Sequence, residues 1–176
     1  MTLGMEGAGI VKALGKSGRN LNLGDRVAYC TEPGSYALFA KVAAWKIIPL
    51  PEDIPLDIAT ALMLQGSTAH YPPHSLFPIG RRHRCLIHAA SGGVGQLLVQ
   101  LAKARGAKVF ALVGRQEKAD LAVINSADYT ILYKRENFAE LVLELTNGEG
   151  VHVVYGSIGK MTIADRLRPL KTRNLC

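Results

Sequence analysis

The amino-acid sequence predicts an α/β fold, in which a parallel β-sheet covered by helices on both faces follows a smaller β-rich region. Three observations carry this expectation. After Gly80, runs rich in valine, isoleucine and leucine alternate with segments whose apolar residues recur three and four positions apart. A glycine-rich turn joins the first of these strands to the first of these helices. Before residue 55, short alternating segments are broken by turn residues and no helical period emerges.

In chain order, GAGIVKAL alternates around glycine and LNLGDRVAYC places a Gly-Asp turn ahead of a strand. SYALFAKVAAWKIIPL reads as two further strands, and Pro51 and Pro55 close the region. LDIATALMLQ is a short helix with Asp57 near its start, where the helix dipole favours an anion, and Gly66 is expected to end it. A second helix from Ser67 meets Pro72 and Pro73, which should stop or bend it, because proline lacks an N–H donor and clashes with the preceding turn. HSLFPIG is a connecting loop. Strands are then expected at 84–89, 108–113, 129–133 and 151–155, with helices at 94–106, through EKADLAVIN, and at 137–147. A last helix near TIADRLRPL leads to a strand at the very end. The expected organisation is a β domain over residues 1–54, connecting helices over 55–80 and a nucleotide-binding domain over 81–176.

Composition narrows the function classes. A chain of 176 residues that is 48% hydrophobic and 20% charged is globular. No uncharged run reaches the roughly 18 residues that span a bilayer, and the first residues lack the pattern of a secretory leader, so a cytoplasmic protein is expected. Cys30, Cys85 and Cys176 form no CxxC pair and read as ordinary reduced thiols, with neither disulfide nor metal implied. The net charge of +7 favours an anionic partner. Basic residues cluster at Arg81–Arg84 and again across Arg166, Arg168, Lys171 and Arg173, without interleaved aromatics. A phosphorylated cofactor is therefore preferred to nucleic acid as the source of this charge.

The run His88 to Gly95, HAASGGVG, sits where a dinucleotide site needs it, after a buried strand and at the start of a helix. Free backbone N–H groups and the helix dipole there attract a pyrophosphate, and glycine lets the backbone approach it. A tight turn without ligand uses the same residues, but the surrounding β-α-β frame favours the phosphate site. About twenty residues on, an NAD site shows an acidic residue for the ribose. Here the strand end carries Gly114, followed by Arg115 and Lys118. Cations without a carboxylate at the strand end suit a 2′-phosphate and hence NADPH. The alternative is that Arg115 and Lys118 are solvated residues opening a surface helix.

With these blocks in this order, the chain resembles the medium-chain dehydrogenase/reductase superfamily, and within it the quinone oxidoreductase (zeta-crystallin-like) branch. The match is carried by Gly4-Met5-Glu6-Gly7-Ala8-Gly9-Ile10-Val11, Gly24-Asp25-Arg26-Val27, Leu64-Gln65-Gly66-Ser67-Thr68-Ala69, Ala89 to Gly95, and Val153 to Gly159. The resemblance implies an incomplete Rossmann-type sheet preceded by part of a GroES-like β-barrel catalytic domain, with the cofactor in the cleft between them. It assigns Ala89, Gly92, Gly93, Val94 and Gly95 to the pyrophosphate, and Lys118 and Tyr133 to the 2′-phosphate. Thr68 would lie beside the nicotinamide, and Ser157 and Gly159 close to the cofactor. For Tyr133 a buried strand-end aromatic is an equal alternative. No metal is implied, because Met5 stands where zinc-dependent members have a histidine and Cys30 stands alone where they have a four-cysteine lobe. The chain departs from the pattern at Gly156, usually aspartate, and at Pro72 and Pro73. Relative to a complete member, a homodimer in this family, both ends are missing.

The implied reaction is hydride transfer from NADPH to a quinone or enone, which needs placement more than acid–base chemistry. The sequence offers no Ser-His-Asp set, and its five histidines show no catalytic or metal spacing. Two other functions stay open: a cofactor-binding chain without turnover, and a basic nucleic-acid-binding module.

Overall fold

The structure, a computed structural model, describes residues 2–16, 20–156 and 168–171. The chain divides into two compact units, Met1–Ser67 and Thr68–Cys176.

In the first unit β1 (Glu6–Ile10), β2 (Arg26–Cys30) and β3 (Ile47–Pro49) form an antiparallel sheet in that order. The Gly24-Asp25 turn ahead of β2 forms as expected, and the Asp25 carboxylate accepts the Asn22 N–H at 2.7 Å. The Arg26 guanidinium donates to the carbonyls of Glu52 and Ile54 and so ties down the proline-bounded segment after β3. The two strands expected across 35–50 are corrected to one. Residues 35–43 form no strand, and a 3₁₀ turn, Ala44–Lys46, precedes β3. Burial explains the difference. Tyr36, Leu38 and Phe39 are all exposed, so their apolar alternation has no facing layer among the described residues.

Helix α1 (Leu56–Tyr71) begins in the first unit and ends in the second. It runs straight through Gly66, contrary to the expected stop. A mid-helix glycine costs only about 1 kcal/mol relative to alanine, and burial of Ala69 in the core of the second unit outweighs it. The α-helix ends at Tyr71, directly before the two prolines. At Pro72–Leu76 the chain widens into a π-turn whose bonds run to Phe77 and Ile79, so neither proline is asked to donate.

The second unit holds β4 (Arg84–His88), α2 (Gly93–Ala104), β5 (Lys108–Val113), α3 (Gln116–Ile124), β6 (Tyr129–Leu132), α4 (Phe138–Leu145) and β7 (Val153–Tyr155). All four strands are parallel, in the order β6-β5-β4-β7. Side-chain alternation divides the core between the two faces. Cys85, Ile87, Val109, Ala111 and Val113 pack with Leu98, Val99 and Ala102 of α2 and with Ala119 and Ala122 of α3. Leu86, Phe110, Leu112 and Ile131 pack with Phe138, Ala139 and Val142 of α4. The fold is the expected α/β sheet of Rossmann type. The last expected helix and strand fall largely outside the described residues. Within them, Leu170 forms a parallel bridge with Val151.

Two local networks yield predictions. Buried Thr146 donates its hydroxyl to the Val142 carbonyl at 2.7 Å and accepts the Gly150 N–H at 2.8 Å. Thr146→Val keeps the shape but orphans a buried N–H, so urea unfolding should show a loss of about 2 kcal/mol. At the N-terminal end of the sheet, His152 Nδ1 accepts the Arg84 N–H at 3.1 Å. Desolvation first, then the charges of His83, Arg84 and Lys171, hold its pKa below the usual 6.5, against the opposing pull of Glu149. A histidine with a lowered folded-state pKa adds stability that is present above about pH 6.5 and is lost as pH falls toward the folded value. The melting temperature should therefore drop between pH 7.5 and 5.5 by less in His152→Gln than in the parent.

Candidate functional site

The strand order reverses between β4 and β7, because the chain builds outward from β4 to β6 and then crosses to the other side of β4. A crevice opens at such a point, at the carboxyl ends of the strands. There β4 ends at His88, whose buried ring meets Phe138 edge-on at 5.6 Å between centroids, a packing role.

Ala89 follows with φ +49°, a left-handed conformation that costs a residue with a Cβ about 1–2 kcal/mol. Its carbonyl accepts the Gly92 N–H at 2.8 Å, and the Ala90 N–H donates to Leu112 of β5 at 3.3 Å. The turn is thus closed on itself and tied to the sheet. A Cβ on Gly95 would lie 2.1 Å from the Ala89 oxygen and 2.8 Å from the Ala90 Cα, so only glycine lets α2 pack this closely. Gly92 caps α2 without a side-chain hydrogen bond, and the first turn holds no acidic residue. The α2 N-terminus therefore presents backbone N–H groups and the positive end of the helix dipole, with no carboxylate in its own first turn to neutralise them. Ala89, Gly92, Gly93, Val94 and Gly95 are brought together at this turn.

The neighbouring strand ends form a second cluster. β5 and β6 pair up to Val113 and Leu132, and the Tyr133 N–H donates to the Val113 carbonyl at 3.2 Å. A Cβ on Gly114 would stand 3.2 Å from the Tyr133 hydroxyl oxygen, so glycine makes room for the ring. Tyr133 is 41% exposed, which replaces the buried alternative with an accessible phenol. Arg115 and Lys118 are exposed at the start of α3, and neither enters an ion pair among the described residues. Lys134 and Arg135, also exposed, follow Tyr133 directly and were not singled out in the sequence, while Glu117, exposed as well, stands between Arg115 and Lys118 in the first turn of α3. Their Tyr-Lys-Arg run was visible, but only the β5–β6 pairing sets it beside Gly114. Glu136, the nearest following acid, is turned back to accept the Leu132 N–H at 2.8 Å.

A family model described as zinc-binding dehydrogenase matches residues 93–173. A quinone oxidoreductase of Pseudomonas aeruginosa is 42% identical over 98% of this chain and 54% of its own length. A 2-haloacrylate reductase of a Burkholderia species is 38% identical over 100% of the chain and 54% of its own length. The crystal structure of Escherichia coli quinone oxidoreductase complexed with NADPH superposes with a TM-score of 0.93 at 38% identity, covering 97% of this chain and 53% of that one. The chain is similar to quinone oxidoreductases over nearly its whole length. It spans about half the length of the curated relatives it matches.

The remaining residues singled out by this family pattern lie as follows. Thr68 is an exposed residue within α1, one position before Ala69, which packs in the same core cluster as Ile87 and Ala90 beneath the glycine turn. Ser157 and Gly159 lie outside the described residues. Among the described residues no three His, Cys, Asp or Glu side chains gather into a cation site. Burial, then Asp128, pushes the Cys85 thiol up to about 12, so it carries no thiolate chemistry at neutral pH.

Proposed function

We propose that this chain supplies the NADPH site of a zinc-independent reductase that passes hydride to a quinone or an activated alkene. The observation that carries the reading is the α2 N-terminus, uncapped and glycine-packed at the switch point of the sheet. The pyrophosphate would take the backbone N–H groups of residues 92–95 beside Ala89. Gly114, Arg115, Lys118 and Tyr133 would hold the 2′-phosphate, because the strand ends offer exposed cations and a phenol, with glycine rather than a carboxylate where NAD sites carry an acid. Thr68 would seat the nicotinamide amide, with Ser157 and Gly159 nearby.

When bound, the nicotinamide supplies the hydride; the protein's part is to place it and to exclude water. Solvent would deliver the proton, which fits a glycine turn where the described residues offer no acid–base pair. Zinc independence is supported by donor chemistry: the half-exposed thioether of Met5 is no zinc ligand, and Cys30 has no cysteine neighbours in the sequence. The complete enzyme would be a cytoplasmic homodimer. No described helix is long and apolar enough to cross a membrane.

A second reading, cofactor binding without turnover, is favoured by the first unit, where Leu38, Phe39 and Trp45 are 95%, 76% and 82% exposed. Titration of the purified chain with NADPH and NADH, followed by nicotinamide fluorescence, tests the common part. Saturable binding that prefers NADPH is expected, and a folded chain that binds neither overturns both readings. Quinone-dependent loss of NADPH absorbance then separates turnover from binding alone.

A further inference from the structure

We infer that His70 and His74 form a two-imidazole chelate for a divalent transition-metal cation of the Cu2+ or Ni2+ class, where α1 passes into the Pro72–Leu76 turn. A spacing of four across a Pro-Pro pair carries no signal in the sequence, because prolines there are expected to break the helical path that would align the two residues. The fold restores the alignment. The two rings stack with centroids 3.6 Å apart and planes 17° from parallel.

A second, independent observation points to a ligand. His74 Nδ1 lies 2.8 Å from the His70 carbonyl oxygen. A carbonyl can only accept, so Nδ1 carries the proton and Nε2 keeps its lone pair. Metal-binding histidines are held in this way, by an outer hydrogen bond that fixes tautomer and ring orientation. The backbone is constrained as well. Proline fixes φ, and Pro73 is fully buried, so the turn that carries His74 has little freedom relative to the end of α1. His70 is exposed and His74 half-buried, so a cation in water reaches both.

The spacing suits a single ion. Two imidazole nitrogens bound at right angles, each about 2.1 Å from a metal, stand roughly 3 Å apart, close to the separation of the rings. A turn of the exposed His70 ring about χ2 converges the two lone pairs. Donor chemistry then selects the metal. Neutral imidazole suits Cu2+, Ni2+ and Zn2+, whereas Ca2+ and Mg2+ need oxygen ligands. Among the described residues no third His, Cys, Asp or Glu joins the pair, so water completes the coordination. A closed structural zinc site needs four protein ligands, while tetragonal Cu2+ and octahedral Ni2+ accept water, and Cu2+ binds nitrogen donors most tightly of the series. The bound ion would clasp the end of α1 to the turn that follows it. The site shares no residue with Met5 or Cys30, nor with the residues proposed to hold NADPH.

The test is calorimetric titration of the untagged full chain with NiCl2, without NADPH, so that its outcome does not depend on the cofactor reading. One ion per chain is expected. His70→Gln and His74→Gln should each lose at least tenfold in affinity, and His152→Gln should lose nothing. Affinity should fall between pH 7.5 and 5.5, because protons compete for the ligand nitrogens, and Cu2+ should displace Ni2+. Far-UV circular dichroism checks the fold. If a variant fails to fold, the parent decides: Ni2+ at a hundred times its dissociation constant should raise the melting temperature by several degrees, since the stacked pair exists only in the folded turn. The inference is overturned by a folded parent that binds no Ni2+ or gains no thermal stability from it. Parental affinity in a folded His70→Gln or His74→Gln chain, or an equal loss in His152→Gln, overturns it too, because scattered imidazoles would then account for the binding.

Discussion

Gly95→Ala is expected to destabilise the second unit by about 3 kcal/mol and to abolish measurable NADPH binding. The added methyl would sit 2.1 Å from the Ala89 carbonyl oxygen and 2.8 Å from the Ala90 Cα. Both are backbone atoms, so no rotamer change relieves the contact. The Ala89 oxygen is also held by the Gly92 N–H, and Ala90 by β5. Relief must come from moving α2 off the turn, which misaligns the N–H groups proposed to receive the pyrophosphate. Urea unfolding and the NADPH titration should therefore fall together. Gly9→Ala is the control, since nothing lies within 4 Å of a Cβ there and stability should be unchanged within about 0.5 kcal/mol. A Gly95→Ala chain that binds NADPH as the parent does would remove this turn from the site.

The double variant Arg115→Gln/Lys118→Gln should lose the preference for NADPH over NADH. Hydrogen bonds to a charged group contribute about 1.5–3 kcal/mol each, so NADPH affinity should fall by at least a hundredfold while NADH affinity changes little. Both side chains are exposed and outside any ion pair among the described residues, so the fold should tolerate the change. If both cofactors weaken equally, the two residues act on the fold or on the general field rather than on a 2′-phosphate. If neither weakens, they are the solvated residues of a surface helix. Adding Lys134→Gln should deepen the loss if the Tyr-Lys-Arg loop joins the cluster.

Much of the second unit was legible in the sequence because its signals are local. β5 matches the expected 108–113 at both ends, because Lys108 and Gly114 bracket an unbroken apolar run. α2 starts one residue before the expected 94, at the glycine that opens the turn. The readings that failed depended on what lies opposite. Gly66 reads as a stop until Ala69 is seen to be buried. The alternation across 35–50 reads as strand until its apolar side chains are found exposed. The ambiguity at Tyr133 was of the same kind, since burial is a property of neighbours and not of the residue.

By itself, the sequence determined the alternating strands and helices, the glycine turn with a helix behind it, and the cations at the second strand end. Hydrophobic period, turn chemistry and the position of glycine are all written within a dozen residues of one another. Tertiary structure alone decided which distant residues meet. Parallel pairing of β5 and β6 puts Tyr133 over Gly114. Parallel strands share one direction, so every loop entering the sheet lies at one end and every loop leaving it at the other.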